Sequence, residues 1–469
     1  MSVVKLVQLS LRVMNKILCV ASLALMIAGC TDPSGQSKNK DYEGLVITEV
    51  AANSDKPMTD SWVEILNTSP REISLAGLGI YLFDEHSKGE EITILDDVVV
   101  GPESRIVLST DNMTLVKGIS SSADFEIVLG TSADKGIVDR FARNRDAAAV
   151  STHKYGSYQR IPEKGGDWVV TSRSTRRIVN YDAKPNAIWV WSTHMDQWIA
   201  DDFAVMKQMK DLGYDHILLN YNAFDDWSKA GKALEIIEKA KELGVKVHAW
   251  MQVFCENKTW VNPIEDLGGG EGRYKQELFD RIIAKANKYI DDFDVDGVHL
   301  DYIRFSGSGK NVAANNSYSN GVNASGAINE FCRQLRKSLD SRPEGVVVSA
   351  AMMTGSDVLH YYGQDPEQMG KYIDIFMPMV YKYYTSYSYN NAWMKTTCAN
   401  FTGVSKAQVW AGIQTYKYET GVSGEIGMTP EEVLADAEVI RNTACSGLVL
   451  FRYALGSYPD LNTFWNEEN

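Results

Sequence analysis

From residue 187 onward, short apolar runs alternate with longer amphipathic stretches. Eight runs read as strands: Ala187–Trp191, His216–Asn222, Lys246–Phe254, Gly297–Phe305, Val346–Met352, Ile373–Tyr381, Gln408–Tyr416 and Gly447–Tyr453. The stretches between them carry the helical period. In Tyr274–Phe293, residues Leu278, Ile282, Ala286, Tyr289 and Phe293 recur at spacings of three and four and define one apolar face. Thr429-Pro-Glu-Glu432 opens a further helix with a capping hydroxyl, a proline at the first turn and acids at the positive end of the dipole. Strand followed by helix, repeated across residues 186–469, predicts a parallel sheet closed as a (β/α)8 TIM barrel, a fold that needs about 250 residues.

The pattern upstream is different. Residues 43–172 hold short runs separated by Gly, Pro, Asp and Ser: Leu45–Val50, Trp62–Leu66, Leu78–Phe83, Ile92–Ile94, Arg105–Ser109 and Phe125–Leu129. Short strands at regular spacing predict an all-β sandwich. The pieces Ile47-Thr-Glu-Val50, Ser61-Trp-Val-Glu-Ile-Leu-Asn67, Ile73-Ser-Leu-Ala-Gly77, Tyr81-Leu-Phe-Asp84 and Ser157-Tyr-Gln-Arg-Ile-Pro162 before Trp168 resemble the lamin-tail domain. That resemblance implies an immunoglobulin-like sandwich serving attachment. Glu49 and Glu64 are then structural carboxylates. The expected organisation is multidomain: a sandwich at 43–172, a linker at 173–185 and the barrel at 186–469.

Strand alternation assigns faces within the barrel. In the third run Val247, Ala249, Met251 and Val253 turn to the helices, which leaves His248, Trp250 and Gln252 facing the axis. In the second run Asn220 and Asn222 share the more polar side. In the fourth, His299 and Asp301 face in; in the seventh, Trp410, Gln414 and Tyr416 do. An interior built only for stability would carry Val, Ile and Leu. Polar residues toward C-terminal strand ends predict a site there. His248 and His299 read equally well as sugar contacts or as satisfied core histidines.

Charge and the N-terminus narrow the function. A net charge of −14 on 469 residues argues against nucleic-acid binding, which requires a basic surface. Met14 to Cys30 has a short basic start, an apolar run and small residues before a cysteine, the plan of a secretory signal. Ile27-Ala28-Gly29-Cys30 resembles the bacterial lipobox, which implies a signal peptide at 1–29, cleavage before Cys30 and diacylglycerol on its sulfur. A Ser/Gly/Lys/Asn-rich tether spans 30–42. The expected location is the cell envelope, membrane-anchored and facing the periplasm or the cell surface. Of six cysteines, Cys255, Cys332, Cys398 and Cys445 remain after Cys19 and Cys30, too scattered for a zinc site. No cofactor or metal motif appears, and the Gly268-Gly-Gly270 run lacks the Lys and Ser of a phosphate loop.

The segment Asp294-Val-Asp-Gly-Val-His-Leu-Asp-Tyr-Ile-Arg-Phe305, with Val245-Lys-Val-His-Ala-Trp250 before it, resembles the glycosyl-hydrolase-like family ten group and its glycoside-hydrolase relatives. Met377-Pro-Met-Val-Tyr381 on the sixth run agrees. The resemblance covers the barrel and implies hydrolysis of glycosidic bonds in a polysaccharide, a cell-wall glycan among the candidates. Asp301 is the carboxylate that alternation puts inward at a C-terminal strand end, with Arg304 near enough to hold it ionised. Asp296 has the outward parity and reads as a loop residue. Tyr302, Arg304 and Tyr381 join Asn220, Asn222, His248, Trp250, Gln252, His299 and Gln414 as expected substrate contacts. Trp189, Trp191, Trp227 and Trp260 offer further rings for stacking on pyranose faces.

Glycosidases need a second carboxyl. The fifth and seventh runs end without a Glu, unlike amylase-like barrels. The position of the chitinase-like acid is Ile303. Glu256, two residues past the third run, is the leading candidate; Asp225, Asp226, Asp357 and Glu419 are the others. The missing strand-borne acid keeps a second reading open, a non-catalytic carbohydrate-binding lipoprotein using the same cleft. A third makes the lamin-tail-like module the main function and the barrel its scaffold.

Overall fold

The computed structural model describes residues 40–465 except 53–60, 94, 96–97, 111, 151, 153, 182–183, 257, 344 and 420. The signal segment and Cys30 lie outside them. Among the described residues no helix is long and apolar enough to cross a membrane.

Eight parallel strands close into a barrel: Asn186–Val190, His216–Asn220, Lys246–Gln252, Gly297–Asp301, Val347–Met352, Ile375–Pro378, Gln408–Gln414 and Gly447–Phe451. These are called the first to eighth barrel strands. Several are shorter than their apolar runs. The second ends at Asn220 and a helix, Asn222–Asp225, begins almost at once; the fourth ends at Asp301 and the sixth at Pro378. Apolar character continues past the strand ends because the βα loops are themselves packed: Val253, Phe254, Ile303 and Phe305 are buried with the helices. Val247, Ala249 and Met251 meet the helices, whereas Trp189, Leu218, Trp250, Ile375, Met377 and Trp410 form a separate cluster along the axis.

The N-terminal region is β-rich. One antiparallel sheet runs in the order Asp167–Thr171, Ser157–Ile161, Leu45–Ala51, Trp62–Asn67, Arg105–Ser109; another runs Lys88–Glu91, Gly79–Phe83, Glu126–Gly130, Ile137–Ala142. Their apolar faces share a core that includes Ile47, Val63, Ile65, Ile80, Leu82, Ile127, Phe141 and Tyr158. Within the expected Ile92–Ile94 strand, Thr93 forms an isolated bridge with Leu115, and residue 94 lies outside the described residues. The strands at 88–91, 137–142 and 167–171 are not among the expected runs: Lys88-Gly-Glu-Glu91 carries no large apolar residue, and the other two do not alternate strictly.

A β-bulge between Ile47 and Glu49 breaks the alternation of the first strand. Glu49 therefore turns away from the Ile47 core and lies opposite Glu64 across the strand pair. These two buried carboxyls receive the chain that leads to the barrel. Glu49 accepts Thr175 N–H at 2.9 Å and Thr175 Oγ1–H at 2.8 Å, and Glu64 accepts Arg177 N–H at 2.7 Å. On the other side Arg173 donates to Ser405 O and Thr402 O at 2.9 and 2.7 Å. Arg177 bonds Asp374 at 3.0 Å, which also receives Arg336 at 3.1 Å. The expected linker is thus hydrogen-bonded to both partners along its length.

Burial raises the pKa of Glu49 to about 7 and that of Glu64 to about 8, against the donors and Arg105 that favour the charged forms. A folded pKa above the unfolded value means that the folded chain holds more protons over that interval. Their contribution to stability is complete below about pH 4.5 and is lost as the pH rises through about 7 and 8. The melting temperature is therefore expected to fall across that window. Followed by circular dichroism, a Glu49→Gln, Glu64→Gln double variant should lose most of the slope; an unchanged slope would contradict the assignment.

Candidate functional site

The axis of the barrel is filled in layers. Lowest lie His216 and His248, joined Nδ1 to Nε2 at 3.0 Å, with Trp410 edge-on to His216. Gly297 belongs to this layer. A Cβ there would come within 2.5 Å of His248 Nδ1 and 2.8 Å of Val347 O, so the glycine of the Asp-Gly-Val-His segment is a packing requirement. Above it Trp189 donates its indole N–H to His299 Nε2 at 3.1 Å, and His299 Nδ1 meets Ser349 Oγ at 2.9 Å. With Nε2 accepting, Nδ1 carries the proton and the ring is neutral. Burial holds both histidines below the usual range, His248 at about 4. They are core histidines, and the expectation of sugar contact at His248 and His299 is corrected on that ground.

Asp301 forms the top layer. Trp250 Nε1–H donates to Oδ2 at 3.0 Å, and the backbone N–H of Tyr302 donates to Oδ1 at 2.7 Å. Tyr302 itself takes a left-handed conformation, φ 56°. The carboxyl keeps an edge open to the mouth but is otherwise enclosed by protein. Burial raises its pKa, outweighing the Trp250 and Tyr302 donors and the Arg304 charge. The expected role of Arg304 is corrected accordingly: it moderates the proton affinity of Asp301 without overcoming burial. Its guanidinium sits among rings, 4.6 Å from the Trp260 centroid, 5.2 Å from Tyr362 and 5.7 Å from Tyr302. It donates to Phe305 O at 3.1 Å.

The other rim residues come from the remaining strands. Gln252 lies beside Asp301 in register and is half-buried. Tyr381 stacks on Phe451 at 5.2 Å. Its hydroxyl is pushed well above its usual pKa by burial, then by Tyr416 and the Asp301 charge. Trp191 packs on Trp250 at 4.9 Å.

Several expected residues do other work. Gln414 clasps the backbone of Tyr383, accepting its N–H at 2.8 Å and donating to its carbonyl at 3.0 Å, so its amide is used up in shaping the sixth loop. Asn220 is buried and accepts the Asn222 N–H at 3.3 Å, while Asn222 is exposed on the next helix. Glu256 does not turn to Asp301; its carboxylate is taken by Arg281 on the helix Gln276–Phe293. Asp225 binds Lys285 and Tyr289, Asp226 accepts from Ser228, Glu419 pairs with Lys417, and Asp357 is exposed before a short helix. Asp296 accepts the Val247 N–H at 2.8 Å and pairs with Lys246, away from the mouth. Trp227 is 89% exposed.

Sequence reading passed over Arg452 and Glu425. Arg452 follows the eighth strand directly, so its place at a C-terminal strand end was available as a signal. Glu425 lies in a Gly/Ser-rich excursion with no periodicity. Among the described residues no group of three or more His, Cys, Asp or Glu side chains could hold a metal ion.

The sequence model of a family described as "Putative glycosyl hydrolase domain" matches residues 256–409, about a third of the chain. No curated protein matches. Solved structures similar to this chain include a chitinase from Chromobacterium violaceum, at 11% identity over 61% of this chain and 97% of that one, with a TM-score of 0.39. A group IV chitinase from Ostrinia furnacalis is 11% identical over 61% and 96%, TM-score 0.42. An exo-β-1,4-mannosidase from Opitutaceae bacterium strain TAV5 is 10% identical over 60% and 58%, TM-score 0.40. Likeness at this level assigns no chemistry by itself.

Replacing Trp250 by Phe keeps the ring packing and removes the donor. The Asp301 pKa should then rise further, read by carbon NMR titration of labelled Asp carboxyls. A fall, or no change, would contradict the hydrogen-bond assignment.

Proposed function

We propose that this protein is an exported, lipid-anchored glycoside hydrolase whose barrel cleaves glycosidic bonds in a polysaccharide or cell-wall glycan. Asp301 is the carboxyl that works on the bond. The observation that carries the reading is the position of that carboxyl: inward, at the C-terminal end of the fourth strand, held by two N–H donors in a mouth rimmed by Trp191, Trp250, Trp260, Tyr302 and Tyr381. Aromatic faces suit pyranose rings, and an enclosed carboxyl of raised proton affinity suits acid–base work on an acetal. The family description supports the same chemistry. The lipobox-like Ile27-Ala28-Gly29-Cys30 supports anchoring through Cys30, with residues 1–29 removed, and the β-rich region at 43–172 is a lamin-tail-like, immunoglobulin-like attachment module.

One observation favours a second reading, carbohydrate binding without cleavage: the leading loop acid, Glu256, is held by Arg281 away from Asp301.

Incubated with a panel of polysaccharides that includes denuded peptidoglycan strands, the full-length protein is expected to release reducing ends. An Asp301→Asn variant should lose activity by on the order of 10³-fold. Binding by both forms without cleavage of any glycan would establish the second reading instead. Mass spectrometry of the protein expressed in a bacterial host should find a diacylated N-terminal peptide starting at Cys30; an intact leader or an unmodified Cys30 would refute the anchor.

A further inference from the structure

We infer that Glu425 is the second carboxyl of the hydrolysis proposed above, the base that activates water opposite Asp301; the inference rests on that glycosidase reading. After the seventh barrel strand the chain runs out through Tyr416–Lys417 and returns through Ile426–Gly427, with Tyr416 paired to Gly427. The return leg brings Glu425 to the mouth. There its Oε2 accepts from Arg452 at 3.0 Å, and the carboxylate remains open to solvent. The Arg452 guanidinium stands 5.9 Å from the ring centres of both Trp191 and Phe451.

These contacts extend into a rim. On one side Trp191 packs on Trp250 at 4.9 Å, and Trp250 donates to Asp301 at 3.0 Å. On the other, Phe451 packs on Tyr416 at 6.3 Å and stacks on Tyr381 at 5.2 Å. Asp301 ends the fourth strand and Arg452 follows the eighth, and these are opposed in an eight-membered ring. Arg452, and Glu425 through its bond to Arg452, therefore belong to the side of the ring opposite Asp301. The other loop acids differ in this respect: Glu256 and Asp225 are tied to Arg281 and Lys285 on the helix Gln276–Phe293, outside the rim.

Opposed carboxyls leave room for a sugar and a water. An inverting enzyme holds its two carboxyls about 6.5–9.5 Å apart and a retaining one ~5 Å apart; a base on the side of the ring opposite Asp301 points to the inverting arrangement. Asp301, enclosed and reluctant to ionise, gives its proton to the glycosidic oxygen as the bond from that oxygen to the anomeric carbon breaks. Glu425 takes a proton from water as the water oxygen bonds to the same carbon on the opposite face. One water is consumed, each product gains a hydroxyl, and both carboxyls return to their starting states by exchange with solvent. Arg452 is a positioning residue that orients the Glu425 carboxylate.

The test uses the full-length protein with a panel of dinitrophenyl glycosides beside the polysaccharide panel. Proton NMR reads the anomer first released. Glu425→Gln should lower turnover on both substrate types by about 10²–10⁴-fold with an unchanged melting temperature. Azide should restore dinitrophenol release and give a glycosyl azide of inverted configuration. Asp301→Asn should lose the polysaccharides yet keep dinitrophenyl glycosides, whose leaving group needs no proton. Wild-type turnover by Glu425→Gln, or a first product of retained configuration, would overturn the assignment and leave the hydrolase reading standing. No cleavage of any substrate by the wild type would overturn the hydrolase reading and this inference with it.

Discussion

The hydrogen bond from the Trp250 indole to Asp301 is the contact around which the mouth of the barrel is organised. A closed barrel excludes water from its axis, so a polar group placed there must find a partner in the protein. The lower layers meet it in large part by pairing His216 with His248 and Trp189 with His299 and Ser349, while His248 Nδ1 is buried without a partner. Asp301 meets it with one indole and one backbone N–H, at the height where the axis opens. The carboxyl is thereby fixed in direction while one edge stays available. Trp250 also carries Trp191, so the same ring orients the carboxyl and begins the aromatic rim.

A comparable constraint joins the barrel to the β-rich region. Glu49 and Glu64 lie side by side and buried, and some of their donors come from the segment that leads to the barrel: Thr175 and Arg177. Arg177 then reaches Asp374, which directly precedes the sixth barrel strand. Separating the β-rich region from the barrel would break the bonds that Arg177 makes to both.

The mouth itself is assembled from elements far apart in the chain. Trp191, Trp250, Asp301, Tyr381, Tyr416 and Arg452 follow or end six different strands. Most of their contacts join residues distant in sequence, though Asp301 also accepts the N–H of Tyr302. Chemistry of this kind is typical of barrels, where rigid strands fix the starting point of each loop and the loops supply the groups.

Much of the architecture was legible in the residues alone. Strand–helix alternation after residue 186 and the inward parity of Trp250, His299 and Asp301 follow from local periodicity and backbone sterics, which act over a few residues. Strand ends were misplaced because apolar loop residues such as Val253 and Ile303 continue the pattern into packed loops. What only the tertiary structure decided were the pairings. Whether His248 and His299 served sugar or core depended on His216, Trp189 and Ser349, on other strands. Whether Glu256 faced Asp301 depended on Arg281, and whether Asp301 was held ionised depended on how deeply the barrel enclosed it. Parity fixes the side of a strand on which a group lies. Its partners and its solvation are set by chain segments 25 to more than 100 residues away, brought together only when the barrel closes.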